Sequence, residues 1–123
     1  GHAAKRVAAV LHEHFLSEEE FALPPLGLLG PISEGRVTPD MQEVIALTDR
    51  LKAEMPRMLA EHNAIVEALK ELGRAATAER HPEVSRFVDE LTAHAQNEEQ
   101  VLYPAAIVVG EYMKLKFRGS VTP

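Results

Sequence analysis

The chain of 123 residues contains no cysteine and no tryptophan. Without cysteine there is no disulfide, no thiolate metal site and no cysteine nucleophile. The same lack is compatible with a reducing compartment, and a cytoplasmic setting is expected. Aromatic residues make up only 5% of the chain. The core must therefore be built largely from Ala, Leu and Val, which suits helix packed on helix. No stretch approaches the roughly 18 uncharged apolar residues of a membrane span. Lys5, Arg6, His12 and Glu13 interrupt the N-terminal region too often for a secretory signal. Basic residues are in deficit: 13 Lys and Arg face 19 Asp and Glu, for a formal charge of −6. Nucleic acid and anionic membranes are not expected partners, because both demand a basic face. Sustained β-period alternation is absent too. The fold class is all-α.

What is present reads as a single domain, residues 1–123, of three long helices. The chain starts Gly1-His2 without a methionine, which reads as a processed or engineered start with part of the natural protein upstream. Residues 3–22 form the first helix, stopped at Leu23-Pro24-Pro25 because proline lacks a donor and clashes with the preceding turn. Residues 23–38 form an apolar connection rich in Gly and Pro, expected to fold over one end of the bundle. Thr38-Pro39-Asp40 starts a second helix over 39–76, with threonine as N-cap and proline at the first helical position. The third helix covers 82–116. Pro56 and Pro104 fall inside helices and predict kinks. Residues 117–123 read as a frayed tail.

Each helix carries a seam of alternating steps of three and four. The first is Val7, Leu11, His14, Glu18, Phe21. The second is Val44, Thr48, Leu51, Met55, Met58, His62, Ile65, Leu69, Leu72. The third is Val84, Phe87, Leu91, His94, Glu98, Val101, Ala105, Val108, Tyr112. A histidine breaks every seam, and a glutamate four residues on breaks two of them. An imidazole or carboxylate buried there costs several kcal/mol unless paired, protonated or bound to a cation.

Residues four apart differ by about 40° around a helix. His14 with Glu18, and His94 with Glu98, can therefore each offer a nitrogen and an oxygen to one ion. Glu19 and Glu99 fall off the seam, to solvent or to supporting roles; His12 faces away from His14. In an antiparallel hairpin turning near residue 78, His62 and His94 lie at one height. His14 is harder to place. The connection must make up about 23 Å, or the segment before Pro56 must lean away from the bundle. A lone seam histidine is usually a core residue bonded to a carbonyl, and a lone His-x-x-x-Glu is often a simple ion pair. Two such pairs plus a third histidine in phase predict a metal site. Imidazole and carboxylate without sulfur suit iron, manganese or zinc. His12-Glu13-His14 is not the zinc-protease string His-Glu-x-x-His. Gly27, Gly30 and Gly35 lack the lysine and strand of a phosphate loop, and Ser17 and Ser33 have no triad around them.

The segments His14-Phe15-Leu16-Ser17-Glu18-Glu19, Glu61-His62-Asn63-Ala64-Ile65 and His94 to Ala105 resemble the hemerythrin-like HHE cation-binding family. Its specific element is the final His-x-x-x-Glu-Glu-x-x-Leu-Tyr-Pro, and the likeness spans roughly residues 5–113. The resemblance implies an up-down four-helix bundle holding a carboxylate-bridged non-haem di-iron centre. It implies His14, Glu18, His62, His94 and Glu98 as ligands, Glu18 and Glu98 bridging. Family activities include oxygen binding, oxygen or iron sensing, and responses to nitric oxide or peroxide. Dioxygen or another diatomic ligand is thus expected. A di-iron oxidase or peroxidase ranks lower, because the Glu-x-x-His spacing of ferritin-like sites is absent. A metal-depleted bundle acting through protein contacts is the third reading.

One departure stands out. Family members open with a further helix bearing a lone histidine, and only 13 residues precede His14 here. His2 lies on the same helix, about 18 Å away. The expected half-site is His62 with His94 and Glu98; His14 with Glu18 is a histidine short. Water, a partner chain or a reorganised, partly occupied site could answer that shortage. Exposed seam residues such as Val7, Leu11, Val84 and Leu91 give a second motive for a homodimer or domain-swapped oligomer.

Overall fold

The computed structural model describes residues 1–121, with side chains to residue 118. Helix α1, His2–Ser17, runs into a π-helical turn over Glu18–Ala22. A 3-10 turn, Pro24–Leu28, leads to the short α2, Leu29–Ser33. A second 3-10 turn, Pro39–Glu43, opens α3, Val44–Ala78. Helix α4, Pro82–Asn97, passes through a second π turn, Glu98–Leu102, into α5, Tyr103–Val121. No strand occurs among the described residues. The protein is all-α, with three long helical rods.

The central rod is α3, 35 residues long. Helices α1, α4 and α5 all pack along it, while α1 and α4 barely touch. The 3-10 turn at Pro24–Leu28 lies against α3 and α5, with Pro25 buried, so the apolar connection does cover one end. The α3–α4 hairpin closes with Arg80 in the left-handed region, φ 58°. The His81 N–H donates to the Ala76 carbonyl at 2.8 Å, and the Arg80 N–H to that of Thr77 at 3.3 Å, the pairing that satisfies a helix C-terminus.

The core falls into two clusters. Phe21, Ala22, Leu51, Met58, Tyr103 and Ala106 form one. Val7, Ile65, Ala68, Leu69 and Val88 form the other. His62 lies between Met58 and Ile65 in sequence, so the clusters sit above and below it. They seal a polar layer between them.

Three expectations are corrected. The third rod continues to Val121 instead of fraying from residue 117; of that expected tail, 122 and 123 lie outside the described residues. The interruption expected at Pro104 is the π turn just before it. Pro104 has no N–H for the Gln100 carbonyl, and the ladder resets when the Tyr103 N–H bonds the Glu98 carbonyl five residues back. The third seam is also displaced. Val88, Ala95, Val109 and Met113 are buried, and their preceding neighbours Phe87, His94, Val108 and Tyr112 are exposed. One residue turns a helix by about 100°, so the buried stripe lies one position later than the apolar pattern indicates. Val88 Cγ1 would sit 3.5 Å from a Cβ at Gly73; α4 approaches α3 closely, and small residues take that face. Val7 is buried, and Leu11 and Leu91 pack on its cluster. The exposed apolar surface is a different set from the one expected.

Candidate metal centre

Both His-x-x-x-Glu pairs end in the same local structure. His14 lies in the last turn of α1 and Glu18 begins the first π turn; His94 lies in the last turn of α4 and Glu98 begins the second. Each π turn closes one residue before a proline, at Leu23-Pro24 and Tyr103-Pro104. His62 projects from the middle of α3. Single π turns inside helices recur at functional sites, because the extra residue re-aims side chains.

The side chains converge in the sealed layer. Candidate ligand atoms of His14, Glu18, His62 and Glu98 all lie within 4.8 Å of one another, and all four residues are buried. The two Nε2 atoms of His14 and His62 are 2.9 Å apart. Glu98 Oε1 is 3.3 Å from His62 Nε2 and 3.9 Å from His14 Nε2. Glu18 Oε2 is 3.5 Å from His14 Nε2. Tyr103 Oη donates to Glu18 Oε2 at 2.8 Å and lies 2.9 Å from His14 Nε2 and 3.1 Å from His62 Nε2.

The outer face of each imidazole fixes what the inner face presents. His14 Nδ1 is 3.0 Å from Glu61 Oε1, and His62 Nδ1 is 2.8 Å from Glu99 Oε1. Carboxylates accept, so each Nδ1 carries a proton and donates it. Arg57 braces Glu61, donating to its other oxygen at 2.8 Å and to Ser17 Oγ at 3.1 Å. Both Nε2 atoms therefore face inward, beside two carboxylates, where they can hold a proton or a metal ion. Such a cage attracts a cation, and without a metal it holds a proton. Its chemistry shows in His14: burial pulls its pKa down, yet hydrogen bonds to Glu18, Glu98 and Glu61 outweigh that and push it up to about 10. Burial and the neighbouring Glu98 raise Glu18. Burial would raise Glu98 too, but hydrogen bonds from His14 and His62 hold it well below the usual carboxylate range. Tyr103 is driven above its ordinary value by burial and by Glu18.

The donor set fits a metal ion. It offers nitrogen and oxygen without sulfur, as iron, manganese and zinc accept, and Glu98 Oε2 is a buried oxygen with no hydrogen-bond partner. Residues 1–106 match the hemerythrin HHE cation-binding domain family. The chain belongs to that family. No curated protein and no solved structure matches it.

Within this HHE domain the ligand set implied by the resemblance divides in two. His14, Glu18, His62 and Glu98 come together in the sealed layer. His94 does not join them: its side chain is 54% exposed, with Nε2 3.3 Å from Glu98 Oε2. His62 and His94 do share a level, since both reach Glu98, but His14, expected to be hard to place, is the inner partner of His62. Beside His94 a recess of about 270 Å³ is lined by Phe15, Phe87, Glu90 and Leu91. Sequence reasoning missed Glu61 and Tyr103 as members of the HHE site. Glu61 stands next to His62 and reaches across to His14, which no spacing on one helix reveals. Tyr103 is turned inward only by the π turn. Glu99 holds the supporting role expected of it, and Glu19 is exposed.

Proposed function

We propose that this domain binds iron and uses it to sense or carry a small diatomic ligand such as dioxygen. The observation that carries the reading is the inward set of ligand atoms, His14 and His62 Nε2 with Glu18 and Glu98, sealed between two apolar clusters and bordered by one exposed histidine. Iron bound there would supply a redox-active, Lewis-acidic centre. The protein supplies the rest. Glu61 and Glu99 lock the two imidazoles in one tautomer. The clusters around Phe21 and Val7 exclude water above and below. The recess beside His94 lies at the exposed side of this layer, lined by Phe15, Phe87, Glu90 and Leu91. His94 and Glu98 would hold a second ion at that rim, as a di-iron centre needs. Manganese and zinc suit the same donors, so metal identity belongs to the test. The cysteine-free composition supports a cytoplasmic setting; among the described residues no helix is long and apolar enough to cross a membrane.

The test is metal analysis of protein purified without chelator, followed by ultraviolet and visible spectra with and without dioxygen. Bound iron with a reversible, oxygen-dependent band, lost in His14→Ala and His62→Ala, is the expected result. Multiple turnover with peroxide would instead assign a di-iron oxidase or peroxidase. Protein free of metal after incubation with ferrous ion, with either histidine substitution neutral, would leave only a bundle acting through protein contacts.

A further inference from the structure

We propose that Tyr103 is a protein ligand of the bound ion through its phenol oxygen. The inference rests on the metal-site reading above and deepens it. Distances speak first. For an octahedral ion with bonds of about 2.1 Å, neighbouring donors stand about 3 Å apart. The triangle of His14 Nε2, His62 Nε2 and Tyr103 Oη has sides of 2.9, 2.9 and 3.1 Å, and Glu18 Oε2 lies 2.8 Å from Oη. An ion bonded to both imidazoles and Glu18 thus finds Oη at the spacing of an adjacent donor.

The backbone is arranged to put it there. In an uninterrupted α-helix, residues five apart stand about 140° apart, so Tyr103 would face away from Glu98. The π turn closes a bond between those two residues and brings both side chains inward. Packing does not require the hydroxyl. The ring fills the cluster of Phe21, Leu51, Met58 and Ala106, where phenylalanine would serve as well. Only the oxygen reaches the polar layer.

Coordination exchanges the O–H bond for a metal–oxygen bond. The proton leaves through Glu18 Oε2, already its acceptor, to solvent, and no oxidation state changes. A hard anionic oxygen also favours the ferric over the ferrous ion, which bears on how this domain responds to an oxidant.

The experiment uses the full chain loaded with ferric iron. A visible charge-transfer band with enhanced phenolate ring modes in resonance Raman is expected. Tyr103→Phe should lose the band even where iron is still bound. The chain has only two tyrosines, and Tyr112 is exposed on α5, so Tyr112→Phe should leave the band unchanged. Iron-loaded protein without phenolate modes overturns the inference and spares the metal-site reading; if Tyr103→Phe does not fold, this wild-type spectrum decides alone. Wild-type protein that takes up no iron overturns the reading itself, and metal content distinguishes the two failures.

Discussion

Glu98 Oε2 lies 3.3 Å from His94 Nε2, yet Glu98 is buried while His94 stands at the surface. The carboxylate spans from the sealed cage to the open rim, with Oε1 facing inward to His62. The two histidines that touch Glu98 should therefore respond differently to removal. His62→Ala takes a nitrogen from the middle of the cage and should abolish tight binding. His94→Ala should keep the inner ion and lose only metal held at the rim. Metal-to-protein ratios after dialysis report both. Equal loss from the two variants would mean that His94 is as much a cage residue as His62.

Glu61 and Glu99 touch no shared ligand atom of the cage, but they hold the imidazoles that do. Removing such a partner typically costs about 10–100-fold in metal affinity. Glu61→Ala frees His14 Nδ1 and leaves Arg57 to Glu54 and Ser17; Glu99→Ala frees His62 Nδ1. Each should weaken binding by about that factor while the helical signal stays intact. Competition titration with a chromophoric chelator measures it, and unchanged affinity in both variants would remove them from the site.

The cage also predicts a pH dependence for chelator-treated protein. His14 has a folded pKa of about 10 against an ordinary 6.5, so the fold keeps a proton that the unfolded chain releases. That stabilisation is complete below about pH 6.5 and is lost as pH rises toward 10. Glu98, lowered in the fold, contributes stability above its ordinary 4.5 that is lost as pH falls below it. Glu18, raised, works against the fold once pH exceeds 4.5. Tm should therefore decline between pH 6.5 and 10, and a saturating divalent cation should flatten the decline by taking the proton's place. A flat metal-free profile over that range would contradict the arrangement around His14.

Much of this site was legible because helical spacing is local. His14 and Glu18, and the run from Thr48 through His62 to Leu69, hold their expected faces. Tyr103 was not legible, because steps of three and four from Glu98 lead to Val101, whereas the chain takes a step of five through the π turn. Nor was the choice between Phe87 and Val88. Both edges of the α4 stripe are apolar, and which of them faces α3 is settled by tertiary packing, with Val88 in ordinary contact range of Gly73, not by spacing on one helix.

Close approach is sharpest where α5 meets α3. A Cβ built on Gly110 would lie 1.8 Å from Thr48 Oγ1, 2.5 Å from its Cβ and 2.9 Å from its Cγ2. The helices must part to admit it. Gly110→Ala should destabilise the domain by about 1–3 kcal/mol or more, the cost of overpacking, despite alanine's better helix propensity. Thr48→Ala removes two of the three contacts and should rescue only part of the loss. A urea-unfolding cycle over both sites measures the coupling; additive effects would show that the helices do not meet there.

Phe87 and His94 before the second π turn, and Val101, Val108 and Leu115 within or after it, are all exposed, Val108 and Leu115 at 63% and 67%. An exposed apolar flank of this kind can serve a two-fold contact, in which one patch meets its own copy. We propose a second copy of this chain as the occupant of that flank. Phe15 and Leu16 of α1 extend the exposed apolar surface toward the rim beside His94. Pairing there would shield His94 from water and tie metal retention at the rim to association. Val108→Lys places a charge on that flank at an exposed position that contributes no cage atom. It should yield a monomer in sedimentation equilibrium while His14 and His62 still bind metal. Wild-type protein that remains monomeric at about 1 mM, where a contact with a Kd of about 1 mM would hold about half of the protomers in pairs, would show that this flank does not bind its own copy.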